Sequence, residues 1–230
     1  MRKIVFFFAA LAATVSAFAQ SEVGSFSLTP KVFFNATSLI SDDLTKDYNF
    51  SLFDSDLESK PSYKAGFAAG VEAGYQVTGR FALTAGLIYS QQGFQRGVSI
   101  EISDDILSLE DNSKMMLGYL NVPILANVYL FKGFAIKAGI QPGFLVSAKY
   151  KNDITGSGAA AGYSNNDDVD VKDNCNTVDF SIHVGVSYEF KKGIVLDGRY
   201  NIGLTNVIKG DDSKARNSVV QIGIGYKFNL

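Results

Sequence analysis

The chain has 230 residues, a formal net charge of -2, 47 % hydrophobic and 13 % aromatic positions, four prolines and one cysteine. That composition excludes a disordered chain, a collagen and a disulfide scaffold. The near balance of 21 basic against 23 acidic residues supplies no field for a polyanion, so no nucleic-acid partner is expected.

Residues 1–19 read as an export signal. Arg2 and Lys3 give a positive start, Ile4 to Val15 form an apolar stretch too short to span a bilayer, and Ala17, Phe18 and Ala19 make a small-x-small cleavage site. Cleavage between Ala19 and Gln20 leaves 20–230 as a single domain. The lone Cys175 cannot close an internal disulfide, so the exported protein must be held together by other means.

Beyond the signal the dominant pattern is strict alternation, the mark of strands with unlike faces. A weak first strand runs from about Phe26 to Phe34. A second presents Phe67, Ala69, Val71, Ala73, Tyr75 and Val77 on one side, and Phe81, Leu83, Ala85, Leu87 and Tyr89 follow in a third. The fourth, from Leu120 to Leu130, and the fifth, from Phe134 to Val146, alternate in the same way. Three more follow, from Val178 to Phe190, from Ile194 to Leu204 and from Val220 to Phe228. Eight such strands, joined by three short turns (78–80, 131–133, 191–193) and four long polar loops (36–62, 97–114, 151–177, 206–216), predict an eight-stranded antiparallel transmembrane β-barrel of the outer-membrane type. Of the 23 acids, 18 fall in the long loops, whereas the turns carry only Arg80, Lys132, Lys191 and Lys192, which puts the loops outside the cell. A soluble barrel shares the alternation, but here the polar face holds too many glycines and small residues to meet solvent.

The turns also predict register. Pairing outward from them sets Tyr188 opposite Leu196, Val186 opposite Gly198, Arg199 opposite Gly185 and Asp197 opposite Ser187. Likewise Tyr75 meets Leu83, Glu72 meets Gly86, Ile124 meets Ile140 and Asn127 meets Lys137. One slipped residue would put Glu72, Lys137 and Arg199 into lipid. Pro123 and Pro142 lie inside strands on adjacent staves, so a bulge or slack site is expected there.

Several segments resemble the PorT-like outer-membrane β-barrel proteins of the Bacteroidetes: GYLNVP at 118–123, AGIQPG at 138–143, GVSYEF at 185–190, RYNIGL at 199–204 and QIGIGYKF at 221–228. The resemblance spans about residue 64 to 230 and makes Pro123 a family trait. It implies an outer-membrane barrel of a Gram-negative bacterium. The family's namesake is associated with assembly of a protein secretion system.

The inward face would carry Glu72, Lys137, Asp179, His183, Glu189, Asp197, Arg199 and Lys227, a set of both signs. Because eight strands enclose a space just wide enough to be filled by side chains, these are read as a structural polar network closing the lumen. Such a protein would be non-catalytic and act in envelope structure, assembly or partner binding through its acidic loops, with outer-membrane lipid around it. The same charges could instead line a narrow pore for ions or small solutes. A hydrolase built on His183 is a third reading. Residues i and i+4 on a strand lie about 13 Å apart, so Asp179 cannot orient that ring directly, and Asn201 is its expected cross-strand neighbour. No cofactor or metal is expected: residues 165–170 lack the glycine and glutamate spacing of a calcium loop, and 156–162 lack the lysine and helix of a phosphate loop.

Overall fold

A computed structural model describes residues 21–40, 61–102, 107–158, 164–210 and 215–230. The segment 1–19 read as an export signal therefore lies outside the described residues, as do 41–60 of the first loop. Among the described residues twelve strands form one antiparallel sheet: β1 Phe26–Ile40, β2 Pro61–Ser62, β3 Lys64–Thr78, β4 Phe81–Ile102, β5 Leu107–Asn121, β6 Ile124–Phe131, β7 Phe134–Gly158, β8 Ser164–Asp170, β9 Val178–Glu189, β10 Ile194–Gly203, β11 Arg216–Tyr226 and β12 Phe228–Asn229. They make eight staves, since β5 with β6 and β11 with β12 are single staves broken once each, while β2 and β8 extend the wall above its rim. Pairing of β1 with β11, from Lys31 opposite Gly225 to Ile40 opposite Arg216, closes the ring.

All eight predicted pairings hold, including Glu72 with Gly86, Asn127 with Lys137 and Arg199 with Gly185. Small residues stand opposite the long charged ones because space inside is short. A Cβ on Gly86 would come within 2.7 Å of Glu72 Cγ. Two turns differ from expectation at their tips. Thr78 pairs with Phe81 and Phe131 with Phe134, so each loop has two residues and the extra residue, Val77 or Leu130, forms a bulge. Only 191–193 spans three, closed by Phe190 N–H donating to the Ile194 carbonyl at 2.8 Å. Gly133 and Gly193 take φ of 79° and 82°, where a side chain would be strained, but Gly79 does not need that freedom.

Pro123 sits in the break between β5 and β6. The neighbours use the carbonyls the prolines still possess: Gly86 N–H donates to Pro123 O at 3.0 Å and Val122 N–H to Pro142 O at 2.8 Å. Thus the slack site is real and costs the wall little.

Three of the four long loops are, in part, not loops. Strands β4 and β5 stay paired as far as Ile102 opposite Leu107, and β7 and β8 as far as Thr155 opposite Ser164. The acidic run 165–170 is therefore strand, paired to β7, with Lys151 and Asp168 bridged at 2.8 Å. In the first loop β1 continues to Ile40. Period-two hydrophobicity reports unlike faces, and the polar run 164–170 carries no such contrast, so there the ladder persists without a sequence signal.

Burial is inverted relative to a water-soluble protein. Ile222, Phe34 and Val32 are 69 %, 60 % and 56 % exposed, whereas Lys31, Glu72, Lys137, Asp197 and Arg199 are all buried. Aromatic rings mark two levels on the outer wall. Near the short turns, Phe26 with Tyr75, Phe131 with Phe134, Tyr188 with Phe190 and Tyr226 with Phe228 pack at 4.8 to 4.9 Å between centroids. Eight to ten residues along the staves stand Phe34, Phe67, Tyr89, Phe144 and Phe180. At strand rise and barrel tilt this is roughly 20 to 25 Å, the height of an apolar band between interfacial girdles.

Candidate functional site

The site is the lumen, and it has layers. Alternation on β1, β3, β7 and β10 brings Lys31, Glu72, Lys137, Asp197 and Arg199 to one level of the interior. Lys31 Nζ lies 2.6 Å from both Glu72 Oε2 and Asp197 Oδ2, and Lys137 Nζ is 2.6 Å from the same Asp197 oxygen. Arg199 grips Asp197 with two nitrogens at 2.7 Å each and meets Glu72 Oε1 at 2.6 Å. Its guanidinium also stacks 4.5 Å from the centroid of Phe33, an aromatic that points inward over Gly223. Three cations and two carboxylates from four staves are thus tied into one knot across the barrel.

The other predicted residues lie elsewhere. Glu189 and Lys227 pair at 2.8 Å near the short-turn mouth, beside a cavity of about 40 Å³, room for about one water, that Lys31, Glu72 and Lys137 also line. Asp179 is on the opposite side of the knot, accepting from the Thr205 hydroxyl and from Asn217 Nδ2 at 3.3 Å. His183 is fully buried, and neither ring nitrogen has a hydrogen-bond partner. Asn201 is indeed opposite it, but spends its amide on Gln221 at 3.0 Å.

Above Asp179 an apolar cluster joins buried polar side chains such as Thr37, Gln92 and Ser113, which the alternation did not foretell. Leu39, Met115, Leu117, Tyr119, Leu145 and Ala148 point inward from the staves, and Cys175, Val207 and Ala215 come down onto them from the connections. Those connections are stitched together: Asn176 N–H donates to Val207 O at 2.8 Å, Lys209 N–H to Asn174 O at 2.9 Å, and Cys175 forms a bridge pair with Ile208. Among the described residues a hydrophobic cap therefore covers this end of the lumen, and burial in it pushes the Cys175 thiol pKa up.

Sequence reasoning missed Lys31, although parity from the outward Val32 and Phe34 points it inward. Asn217 and Thr205 had no such signal, because their contacts depend on how the last connection folds back.

A lipid-facing apolar wall, two aromatic girdles, a closed antiparallel ring and an ion-paired interior define a transmembrane β-barrel of the outer-membrane type. The chain belongs to the outer membrane protein beta-barrel domain family, whose model matches residues 18–209, and it resides in the outer membrane of a Gram-negative bacterium. It is similar in fold to Ail, the attachment invasion locus protein of Yersinia pestis, at 12 % identity over 90 % of this chain and 100 % of that one, with a TM-score of 0.44. Neisserial surface protein A shares 12 % identity over 87 % and 97 %, with a TM-score of 0.47. OprG of Pseudomonas aeruginosa shares 10 % over 92 % and 99 %, with a TM-score of 0.33. No curated protein matches the sequence.

Proposed function

We propose that this protein is a sealed, non-catalytic barrel that works from its extracellular side, in envelope structure, envelope assembly or the binding of a protein partner. The carrying observation is the double closure of the lumen by the five-residue ionic knot and by the cap around Tyr119 and Cys175. What remains for recognition is the wall extended by β4, β5, β7 and β8, with acid-rich segments at its end. Catalysis has no support in the arrangement, because His183 is sealed from substrate and the carboxylate of Asp179 is engaged by Thr205 and Asn217. The likeness of 118–123 and its companion segments to PorT-like barrels supports a Bacteroidetes envelope role, and residues 1–19 are read as the export signal that delivers the chain.

The test is a deletion strain complemented by a barrel whose β4–β5 and β7–β8 extensions are cut to short turns. The truncated barrel should insert and show a heat-modifiable band in electrophoresis, yet fail to restore the envelope phenotype. Full restoration would overturn the assignment of function to the extensions. Amino-terminal sequencing of the exported protein should begin at Gln20.

A further inference from the structure

One notch in the outer wall is chemically unlike the apolar surface beneath it. It lies two to three residues above the girdle of Phe67, Tyr89 and Phe144, roughly 7 to 10 Å along the strands, at the level of lipid headgroups. Tyr89, Gln91, Gly118, Ser147, Lys64 and Lys149 line a cavity of about 160 Å³. Gly118 makes the recess: a Cβ there would stand 2.6 Å from Ser147 Oγ and 3.0 Å from the Tyr89 hydroxyl, so both oxygens converge on the space it leaves.

The backbone next to the notch is also unusual. Among the described residues, ladder pairing of β3 with β4 stops at Ala68 opposite Ser90 and resumes only where Ser62 of β2 faces Gln95. Side chains take up the carbonyls freed in between. Asn35 Nδ2 donates to Gln91 O at 3.0 Å, Thr37 Oγ1 to Gly93 O at 2.7 Å, and Lys64 Nζ approaches Gln92 O at 3.5 Å. Lys64 is thereby held, largely buried, in the seam, within reach of the charge of Lys114. Lys149 projects from β7 opposite Met116, and Asp170 across from it turns its carboxylate to Lys172 N–H at 2.9 Å. The lining thus offers two ammonium groups, two hydroxyls and an amide, and no carboxylate, in a chain that is acidic overall.

The geometry points to a binding site for a phosphomonoester on the headgroup of an outer-leaflet lipid, seated over Gly118 between Lys64 and Lys149. Ammonium groups pay least to leave water when a phosphate replaces it, and an anion relieves the repulsion between Lys64 and Lys114. Tyr89 and Ser147 supply donors to the remaining oxygens, while the acyl chains lie against the apolar wall below.

The test uses the refolded full barrel in micelles, titrated with bisphosphorylated lipid A, dephosphorylated lipid A and inorganic phosphate, with bound lipid counted by native mass spectrometry. One phosphorylated lipid per barrel should bind in preference to its dephosphorylated form, with inorganic phosphate competing only at far higher concentration. Lys149→Gln should weaken binding about five-fold, and Gly118→Val, which fills the recess, should abolish the preference, both variants keeping the heat-modifiable band. Equal binding of the two lipids, or variants indistinguishable from the parent, would overturn the site. Inorganic phosphate binding as tightly as the lipid would overturn the lipid as its source.

Discussion

Charge counting inside the lumen separates two substitutions that remove one ion each. The knot holds three cations against two carboxylates, so Lys31→Met leaves Glu72 with Arg199 and leaves Asp197 with Arg199 and Lys137. Asp197→Asn instead leaves three buried cations around a single carboxylate. Urea unfolding in lipid should show about 3 to 5 kcal/mol lost for Asp197→Asn, and clearly less for Lys31→Met. Equal losses would mean that the cluster is not one electrostatic unit. His183 gives a second contrast, since a buried ring with no partner at either nitrogen contributes no hydrogen bond that a leucine would lose. His183→Leu should shift the unfolding midpoint little or upward, and a loss above about 2 kcal/mol would show that the imidazole has a partner. Most of the charged residues were legible from parity alone. The partner each one chooses was not, because distance across a barrel is set by staves far apart in sequence.

At the scale of the element, the turns carry their own test. Gly193 has φ of 82°, and a Cβ there would stand 2.8 Å from the Lys227 carbonyl, so Gly193→Ala should cost about 1 to 2 kcal/mol. Gly79 has ordinary φ and open space around it, so Gly79→Ala should stabilise by roughly 0.4 to 1 kcal/mol. Both turns looked alike as sequence, each a glycine beside a basic residue. They differ in where the glycine falls: Gly193, like Gly133, immediately precedes its next strand and takes positive φ, whereas Gly79 stands one residue earlier, before Arg80. Alternation has a limit of its own. Inside the bilayer every stave announced itself, since one face meets lipid and the other the lumen. Above it, 164–170 remain in the ladder without any apolar–polar alternation to reveal them, whereas in the β4 extension Val98, Ile100 and Ile102 alternate with Ser99 and Glu101, a signal that sequence reasoning passed over.

For the whole molecule, the register set by three hairpins pointed Glu72, Lys137, Asp197 and Arg199 inward, and hence an inverted protein with charges inside, although Lys31 on the first stave was missed. The apolar cap was not legible, because it is made by connections that turn back over the rim, and Cys175 and Val207 carry no periodic signal. On the proposed reading the knot and the cap together block the lumen, so the barrel should hold its ring but pass no ions. Single-channel recording in a planar bilayer, on protein whose heat-modifiable band shows that the barrel has formed, tests this most directly. A silent membrane is the expected result. Stable, ion-selective steps that change when Arg199 or Glu72 is replaced would contradict the sealed lumen and make the protein a narrow pore.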